Sequence, residues 1–322
     1  MTFAFHFTTF ETKLTQSLNL WGEIYDKKKS YILHLQDKKT GNIYLGELNN
    51  FQSLHKINLK TAKNKLENAL TIIKNKEAQL QMFDPTKAGL NLFPHNISEF
   101  EKLPPSALFC LETALLEMVK YKAPSSFFSK GMKKSCALLI PQENQDLNEQ
   151  LQLWLKNQVT HVKIKIGRAL ELERETLNFL LSDCSQHNIQ YRLDGNQQMS
   201  LTALNKLLEA IPLQNIQFFE EPLKEINEWE IFYSKFQRPL ALDESFLERK
   251  NHPPVGTKYV IIKPSITHSV SGCSKLISEN KFKVIISSAF ESSIGMGALK
   301  FLASQTNESP GLDTLKYLQK DY

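Results

Sequence analysis

The chain has 322 residues, 41% of them hydrophobic, enough for a sizeable core and more than the about 250 residues of a bare (β/α) barrel, so a second, smaller domain is expected. A net charge of +5, from 39 basic and 34 acidic residues with no long basic run, argues against a nucleic-acid partner. Four cysteines far apart, Cys110, Cys136, Cys184 and Cys273, with no C-x-x-C pair, argue against a zinc site or a disulfide framework and point to a reduced cytoplasm.

The start, Met1-Thr-Phe-Ala-Phe-His-Phe7, lacks the basic opening and long apolar run of a secretion signal, and no stretch approaches about 18 apolar residues. A soluble, cytoplasmic protein without membrane contact is expected. Residues 1 to 50 alternate in a strand-like way, as in Ser30-Tyr-Ile-Leu-His-Leu35 and Ile43-Tyr-Leu-Gly46, with a turn over Asp37-Lys-Lys-Thr-Gly41 between them. From Leu59 to about Met82 the spacing of Leu66, Ala69, Leu70 and Ile73 predicts a helix. A second helix is predicted over Ala107 to Val119, started by Pro104-Pro-Ser106. Strands followed by helices mark an α+β domain over 1–130.

Strict strand and helix alternation begins near Ser135-Cys-Ala-Leu-Leu-Ile140. Helical stripes follow at Leu177, Leu180, Leu181 and Cys184, at Leu204, Leu207, Leu208 and Ile211, and at Ile226, Trp229, Tyr233 and Phe236. Between them lie five short apolar runs, each ending in a charge: His161-Val-Lys-Ile-Lys-Ile166, Ile189-Gln-Tyr-Arg-Leu-Asp194, Ile216-Gln-Phe-Phe-Glu220, Pro239-Leu-Ala-Leu-Asp243 and Tyr259-Val-Ile-Ile-Lys263. Successive charges are separated by about one strand plus one crossover helix. In a (β/α) barrel over 131–303 these strand ends converge on one mouth.

Asp194, Glu220 and Asp243 at one mouth would repel one another unless a hard divalent cation with oxygen ligands, best Mg²⁺, neutralised them. The alternative reading makes each a carboxylate that caps the following helix. Lys163 and Lys165, two apart on one strand face, point into the mouth while Val162, Ile164 and Ile166 point outward. With Lys165 on one side and Lys263 on the other, a substrate carboxylate could bind the cation while an adjacent carbon gives up a proton. Lys263 could also be a plain salt-bridge partner of the acids. Arg192 shares a face with Asp194 and could reach a substrate carboxylate or an acid of the barrel. Ser287, Ser288 and Ser292, in a run ending at Gly295, suit either a substrate anion or an ordinary helix N-cap.

In this order, Lys163-Ile-Lys165, Arg192-Leu-Asp-Gly-Asn196, Phe219-Glu-Glu-Pro222, Asp243-Glu-Ser245 and Ile262-Lys-Pro-Ser265 resemble the enolase superfamily. Ile286-Ser-Ser-Ala-Phe-Glu-Ser-Ser-Ile-Gly295 and Pro310-Gly-Leu-Asp-Thr-Leu315 tilt the resemblance toward its o-succinylbenzoate synthase family. The resemblance implies an α/β fold, a (β/α)7β barrel capped by the N-terminal α+β domain, with the tail 304–322 packing back onto the cap. It implies Mg²⁺ on Asp194, Glu220 and Asp243, Lys165 as acid/base, Lys163 as an electrostatic helper, and Lys263 as a cation that stabilises an enediolate. Glu221 and Glu244 become groups that orient ligands or lysines, since neighbours on a strand point to opposite faces. Asn196, with Arg192 and the three serines, completes the substrate-binding candidates.

The activity so implied is Mg²⁺-dependent dehydration of 2-succinyl-6-hydroxy-2,4-cyclohexadiene-1-carboxylate to 2-succinylbenzoate in menaquinone biosynthesis, on a small-molecule carboxylate, by a monomer or weak homo-oligomer. An N-acylamino acid racemase, a dipeptide epimerase or a muconate-type cycloisomerase would use the same residues. A non-catalytic, metal-stabilised binding protein would not need the lysines. The chain departs from the family after Gly46-Glu47, where Leu48-Asn-Asn-Phe-Gln-Ser53 stands in place of a proline-rich loop.

Overall fold

Apolar and polar residues alternate with period two at the start of the chain, and the result is an antiparallel sheet, β1 (Phe3–Leu20), β2 (Glu23–Asp37) and β3 (Ile43–Asn49), in that order. The computed structural model describes residues 2–20, 22–49, 51–55, 57–75, 98–122 and 131–322. The predicted turn forms at Asp37, whose carboxylate accepts the Lys39 amide at 2.9 Å and whose carbonyl accepts the Gly41 amide at 2.7 Å. Helices α1 (Leu59–Asn75), α2 (Ser98–Glu101) and α3 (Pro105–Lys122) follow. The part of the first predicted helix beyond Asn75 lies outside the described residues.

Leu33, Leu35, Tyr44 and Leu48 of the sheet pack against Leu66, Leu70 and Ile73 of α1 and Cys110, Leu111 and Ala114 of α3. Each such fully buried aliphatic side chain contributes on the order of 2 kcal/mol. Helix α3 is apolar on two faces: Phe109, Leu116 and Val119 belong to the core of the second body instead. It is the wall the two bodies share.

That second body is a parallel sheet of seven strands, β4 (Ala137–Leu139), β5 (His161–Lys165), β6 (Gln190–Asp194), β7 (Ile216–Glu220), β8 (Leu240–Leu242), β9 (Thr257–Ile262) and β10 (Lys283–Ile286), each hydrogen-bonded to the next. Helices α4 (Leu147–Lys156), α5 (Leu170–Asn178), α6 (Leu201–Leu207), α7 (Trp229–Phe236), α8 (Phe246–Arg249), α9 (Pro264–Thr267), α10 (Ser269–Glu279) and α11 (Ser293–Ser304) connect the strands and follow the last. Val162, Ile164, Leu193, Phe219 and Ile262 point outward and bury against the helical stripes read from the sequence, among them Leu177, Leu181, Leu204, Leu207 and Trp229. Phe218, Ala241, Tyr259, Ile261 and Ile285 point inward and form a core of their own, so the barrel is filled beneath its mouth.

The tail completes the barrel. The Gly311 amide donates to the Ile286 carbonyl at 2.9 Å, and the Cys136 amide donates to the Pro310 carbonyl at 2.7 Å, so residues 310–311 sit between β10 and the start of β4. This is the expected (β/α)7β architecture with an N-terminal α+β cap, the last strand being this short stretch. Farther on, Leu318 packs with Leu14 and Leu18 of β1, and the Gln319 amide donates to the Lys13 carbonyl at 3.0 Å. The tail, expected on the cap, therefore divides between the two bodies.

Candidate active site

Register brings the rungs together. Lys165 is the strand partner of Asp194, and Asp194 is the partner of Glu220, so the three stand side by side at the ends of β5, β6 and β7. Asp243 and Lys263 come immediately after β8 and β9. Lys163 Nζ lies 2.5 Å from Asp194 Oδ2 and 2.7 Å from Glu220 Oε1. Lys165 Nζ lies 2.6 Å from the same Asp194 oxygen, and the Lys263 ammonium pairs with Asp243 Oδ2. The acids are buried, while the three lysines keep about a fifth of their side-chain surface in contact with solvent (18–22%). The mouth is therefore lined by cations and floored by carboxylates.

These pairings set the charges. Burial alone would raise the Asp194 carboxyl, but Lys163 and Lys165 hold it well below the usual carboxylate range. Burial and then the nearby Asp194 charge push Glu220 up to about 8. Burial disfavours the ammonium of Lys163, yet Asp194, Glu220 and Asp243 outweigh it and lift its pKa well above the ordinary value. The same contest, decided by Asp243 and Glu244, raises Lys263.

The acid pairs part as strand alternation requires, with help from the backbone. Glu221 has φ 41°, left-handed for a residue with a side chain, a conformation that costs about 1 kcal/mol or more. It turns its carboxylate sideways: Oε1 accepts the amides of Asp243 at 2.8 Å and Ser245 at 3.0 Å and the Ser245 hydroxyl at 2.7 Å, while Oε2 accepts the Gln197 amide group at 2.8 Å. Glu221 thus fastens the turn that presents Asp243. Gly195 is demanded by the same crossing, since a Cβ there would meet the Pro222 carbonyl at 2.7 Å. Glu244 accepts from Asn196 Nδ2 at 3.4 Å and, raised to about 7 chiefly by burial and then by Asp243, lines a cavity of about 220 Å³ with Gln197, Lys224, Trp229 and Arg249.

Asn196 stands at the mouth beside Lys165. Its Oδ1 accepts from Lys165 Nζ at 2.6 Å and its amide donates to Asp194 Oδ1 at 3.0 Å, so it fixes the lysine. Arg192 is turned toward the other end of the barrel: Nε donates to Gln217 Oε1 at 2.7 Å and Nη1 to the Ser309 carbonyl at 2.8 Å, with the guanidinium over the Phe218 ring. The salt bridge to an acid of the barrel, one of the two roles expected of it, does not form among the described residues, and Phe218 and its neighbours pack inside the barrel beside it.

The three serines are also spoken for. Ser287 and Ser288 hydroxyls donate to the Gly311 carbonyl at 3.3 and 3.1 Å, the consequence of the tail closing the barrel there. Ser292 occupies the N-cap position of α11 without capping it through its own side chain. Its amide and hydroxyl instead donate to Glu47 Oε2 of the cap at 2.7 and 2.8 Å. Glu47, and Glu291, which accepts the Ser265 hydroxyl at 2.6 Å, were missed in the sequence. Glu47 lies on the face of β3 opposite Tyr44 and Leu48, in phase with the exposed Ile43, so strand alternation gives no sign that it is buried.

Among the described residues no three His, Cys, Asp or Glu donors are arranged to hold a metal ion as they stand, because lysines bridge the acids. One observation fits a divalent cation nevertheless. Glu220 Oε2 is buried and makes no hydrogen bond, beside an all-oxygen donor set of the kind Mg²⁺ prefers.

No protein-family model matches the chain. An o-succinylbenzoate synthase from Pectobacterium atrosepticum is 30% identical over 230 residues, 68% of each chain. Among solved structures, an o-succinylbenzoate synthase from Thermosynechococcus elongatus, with magnesium in its active site, superposes with a TM-score of 0.69 at 19% identity, covering 99% of this chain and 95% of that one. An N-succinyl Arg/Lys racemase from Bacillus cereus superposes with a TM-score of 0.75 at 17% identity, covering 100% and 89%. At those identities the two structures speak for the fold alone. No helix among the described residues is long and apolar enough to cross a membrane.

Proposed function

The chain belongs to the o-succinylbenzoate synthase family of the enolase superfamily, and from that premise we propose that it dehydrates 2-succinyl-6-hydroxy-2,4-cyclohexadiene-1-carboxylate to 2-succinylbenzoate in menaquinone biosynthesis. The observation that carries this reading is the placement of Lys165 and Lys263 at either side of Asp194, Glu220 and Asp243 on one row of strand ends. Asp194, Glu220 and Asp243 would hold Mg²⁺, which when bound supplies a Lewis acid for the substrate carboxylate and acidifies the neighbouring C–H.

Lys165, held by Asn196 and Asp194, takes the proton from the carbon beside the carboxylate. The charge that passes to the carboxylate is met by the ammonium groups of Lys163 and Lys263. The ring C–O bond then breaks on the same face, and Lys165 returns its proton to the departing hydroxyl, so that water leaves and the ring becomes aromatic. Aromatisation drives the step, so the site need supply less stabilisation than most. Residues 1–130, with part of the tail, act as the cap, and the barrel that follows carries the chemistry.

The test is direct: purified protein with Mg²⁺ and the cyclohexadiene substrate should give the ultraviolet absorbance of the new aromatic ring. Absence of turnover, together with robust epimerisation of an N-acyl amino acid or dipeptide, would support the second reading, a racemase or epimerase in which both lysines exchange protons. That alternative would use the same lysine on each side of the acids, and the assay decides between the two.

A further inference from the structure

Alternate residues at the end of β3 face the turn between β10 and α11. Glu47 Oε2 accepts the Ser292 amide and hydroxyl and, at 3.3 Å, the Gly295 amide, while Oε1 pairs with the ammonium of Lys28. Asn49 Nδ2 donates to the Ala289 carbonyl at 2.5 Å, and Phe51 stacks edge-on against Phe290 with ring centroids 5.6 Å apart. Lys28 and Glu47 are 1% and 0% exposed. A Cβ on Gly295 would approach Glu47 Oε2 to 2.9 Å, so the carboxylate and the first turn of the helix are in close contact.

A helix N-terminus attracts an anion because its first amides lack intrahelical acceptors and its dipole end is positive. In this chain the anion comes from the cap, and it satisfies the amides that Ser292 leaves uncapped. A buried ion pair is a weak source of net stability, since desolvation of both charges offsets their attraction, and its best-attested role is registry. The turn it grips is tied to the catalytic wall: Glu291 accepts from Ser265, two residues beyond Lys263, and the Ser287 amide donates to the Ile262 carbonyl at 2.8 Å.

We propose that Glu47, held by Lys28, is a positioning residue: its carboxylate occupies the anion site at the start of α11 from within the chain, fixes the 287–295 turn under the cap, and so sets the affinity for substrate without touching the reacting groups. The substrate's second carboxylate is accordingly bound elsewhere than at the α11 N-terminus. The kinetic part of this role rests on the dehydratase reading above.

Because Glu47→Gln alone would leave the Lys28 charge buried and unpaired, the main test is the neutral pair Lys28→Met with Glu47→Gln, assayed in the full chain with Mg²⁺ and normalised to folded protein. The expected result is a KM raised roughly tenfold, as befits loss of a buried carboxylate at a helix N-terminus, with kcat within about threefold. Mg²⁺ binding by titration calorimetry should be unchanged. In Glu47→Ala, millimolar formate should restore KM toward the wild-type value. A role in stability alone would lower the folded fraction and leave KM where it was, which would overturn the proposal, as would a fall in kcat at constant KM. Amide exchange supplies an arm that needs no substrate: the double variant should lose protection at Ser292 and Gly295. Unchanged protection there sinks the clamp, whereas failure of the wild type to turn over the cyclohexadiene sinks only the dehydratase reading.

Discussion

Lys165 and Asp194 are strand partners, and the lysine ammonium sits 2.6 Å from Asp194 Oδ2, the same oxygen that Lys163 approaches to 2.5 Å. Two cations share one carboxylate oxygen while Glu220 Oε2, next door, has no partner. The cluster is thus built with its positive charges partly open to solvent, at the ends of lysine stems, and its negative charges buried.

Activity should require a divalent cation. Exhaustive chelation is expected to abolish turnover and added Mg²⁺ to restore it. Asp194→Asn should lose at least about 10²-fold in kcat/KM, because a Lewis acid contributes several kcal/mol and its ligand would be gone. Full activity in chelated protein would defeat the assignment of the three acids.

Division of labour between the lysines is testable by substitution. Lys165→Ala should lose the roughly 10²- to 10⁴-fold that a positioned acid/base contributes. Lys263 pairs with Asp243 on the side of the acids away from Lys165, and its proposed role is that of a charge rather than a proton carrier. Lys263→Arg, which keeps a charge that cannot be shed, should therefore retain more kcat than Lys263→Ala. Equal and complete loss in both, with normal folding, would make Lys263 a proton carrier.

Arg192→Met should act on stability and leave substrate affinity alone. The guanidinium serves Gln217 and the Ser309 carbonyl inside the barrel, and leaving those acceptors unpaired costs about 1–3 kcal/mol. Thermal melting together with KM measured on the folded variant would check this. A large rise in KM at unchanged stability would return Arg192 to the substrate.

Gly46→Ala should destabilise the cap. Strand β3 crosses α3 so closely that a Cβ at Gly46 would lie 2.0 Å from the Cys110 carbonyl oxygen, and a backbone atom cannot swing aside. Overpacking of this kind costs about 1–3 kcal/mol, which a lowered melting temperature would report.

Stability should fall as pH rises between about 4.5 and about 7, with Glu112 as one source. This fully buried carboxyl on α3 accepts the Val270 and Ser271 amides and the Ser271 hydroxyl of α10, yet burial prevails and raises it from 4.5 to about 7. Within that window the folded chain holds a proton that the unfolded chain has released. Its contribution is fully present below the unfolded value and lost as pH passes the folded one, on the order of 3 kcal/mol in all. Glu112→Gln should flatten that part of the curve; an identical slope in the variant would count against it.

The sequence by itself determined the strands, the crossover helices and the row of charges at the strand ends. Those features depend on period-two and period-3.6 spacing and on neighbours a few residues away, as with Lys163 and Lys165 alternating with Val162, Ile164 and Ile166 or the stripe from Leu177 to Cys184. Only the tertiary structure decided what each remaining polar group is bonded to. Ser292 lies 245 residues from Glu47, Ser288 meets the Gly311 carbonyl of the returning tail, and Arg192 turns away from the mouth because the aromatic filling of the barrel and Ser309 leave it no other acceptor. A buried hydroxyl, amide or guanidinium must be satisfied by whatever group folding brings beside it, and no local period encodes which distant segment that will be.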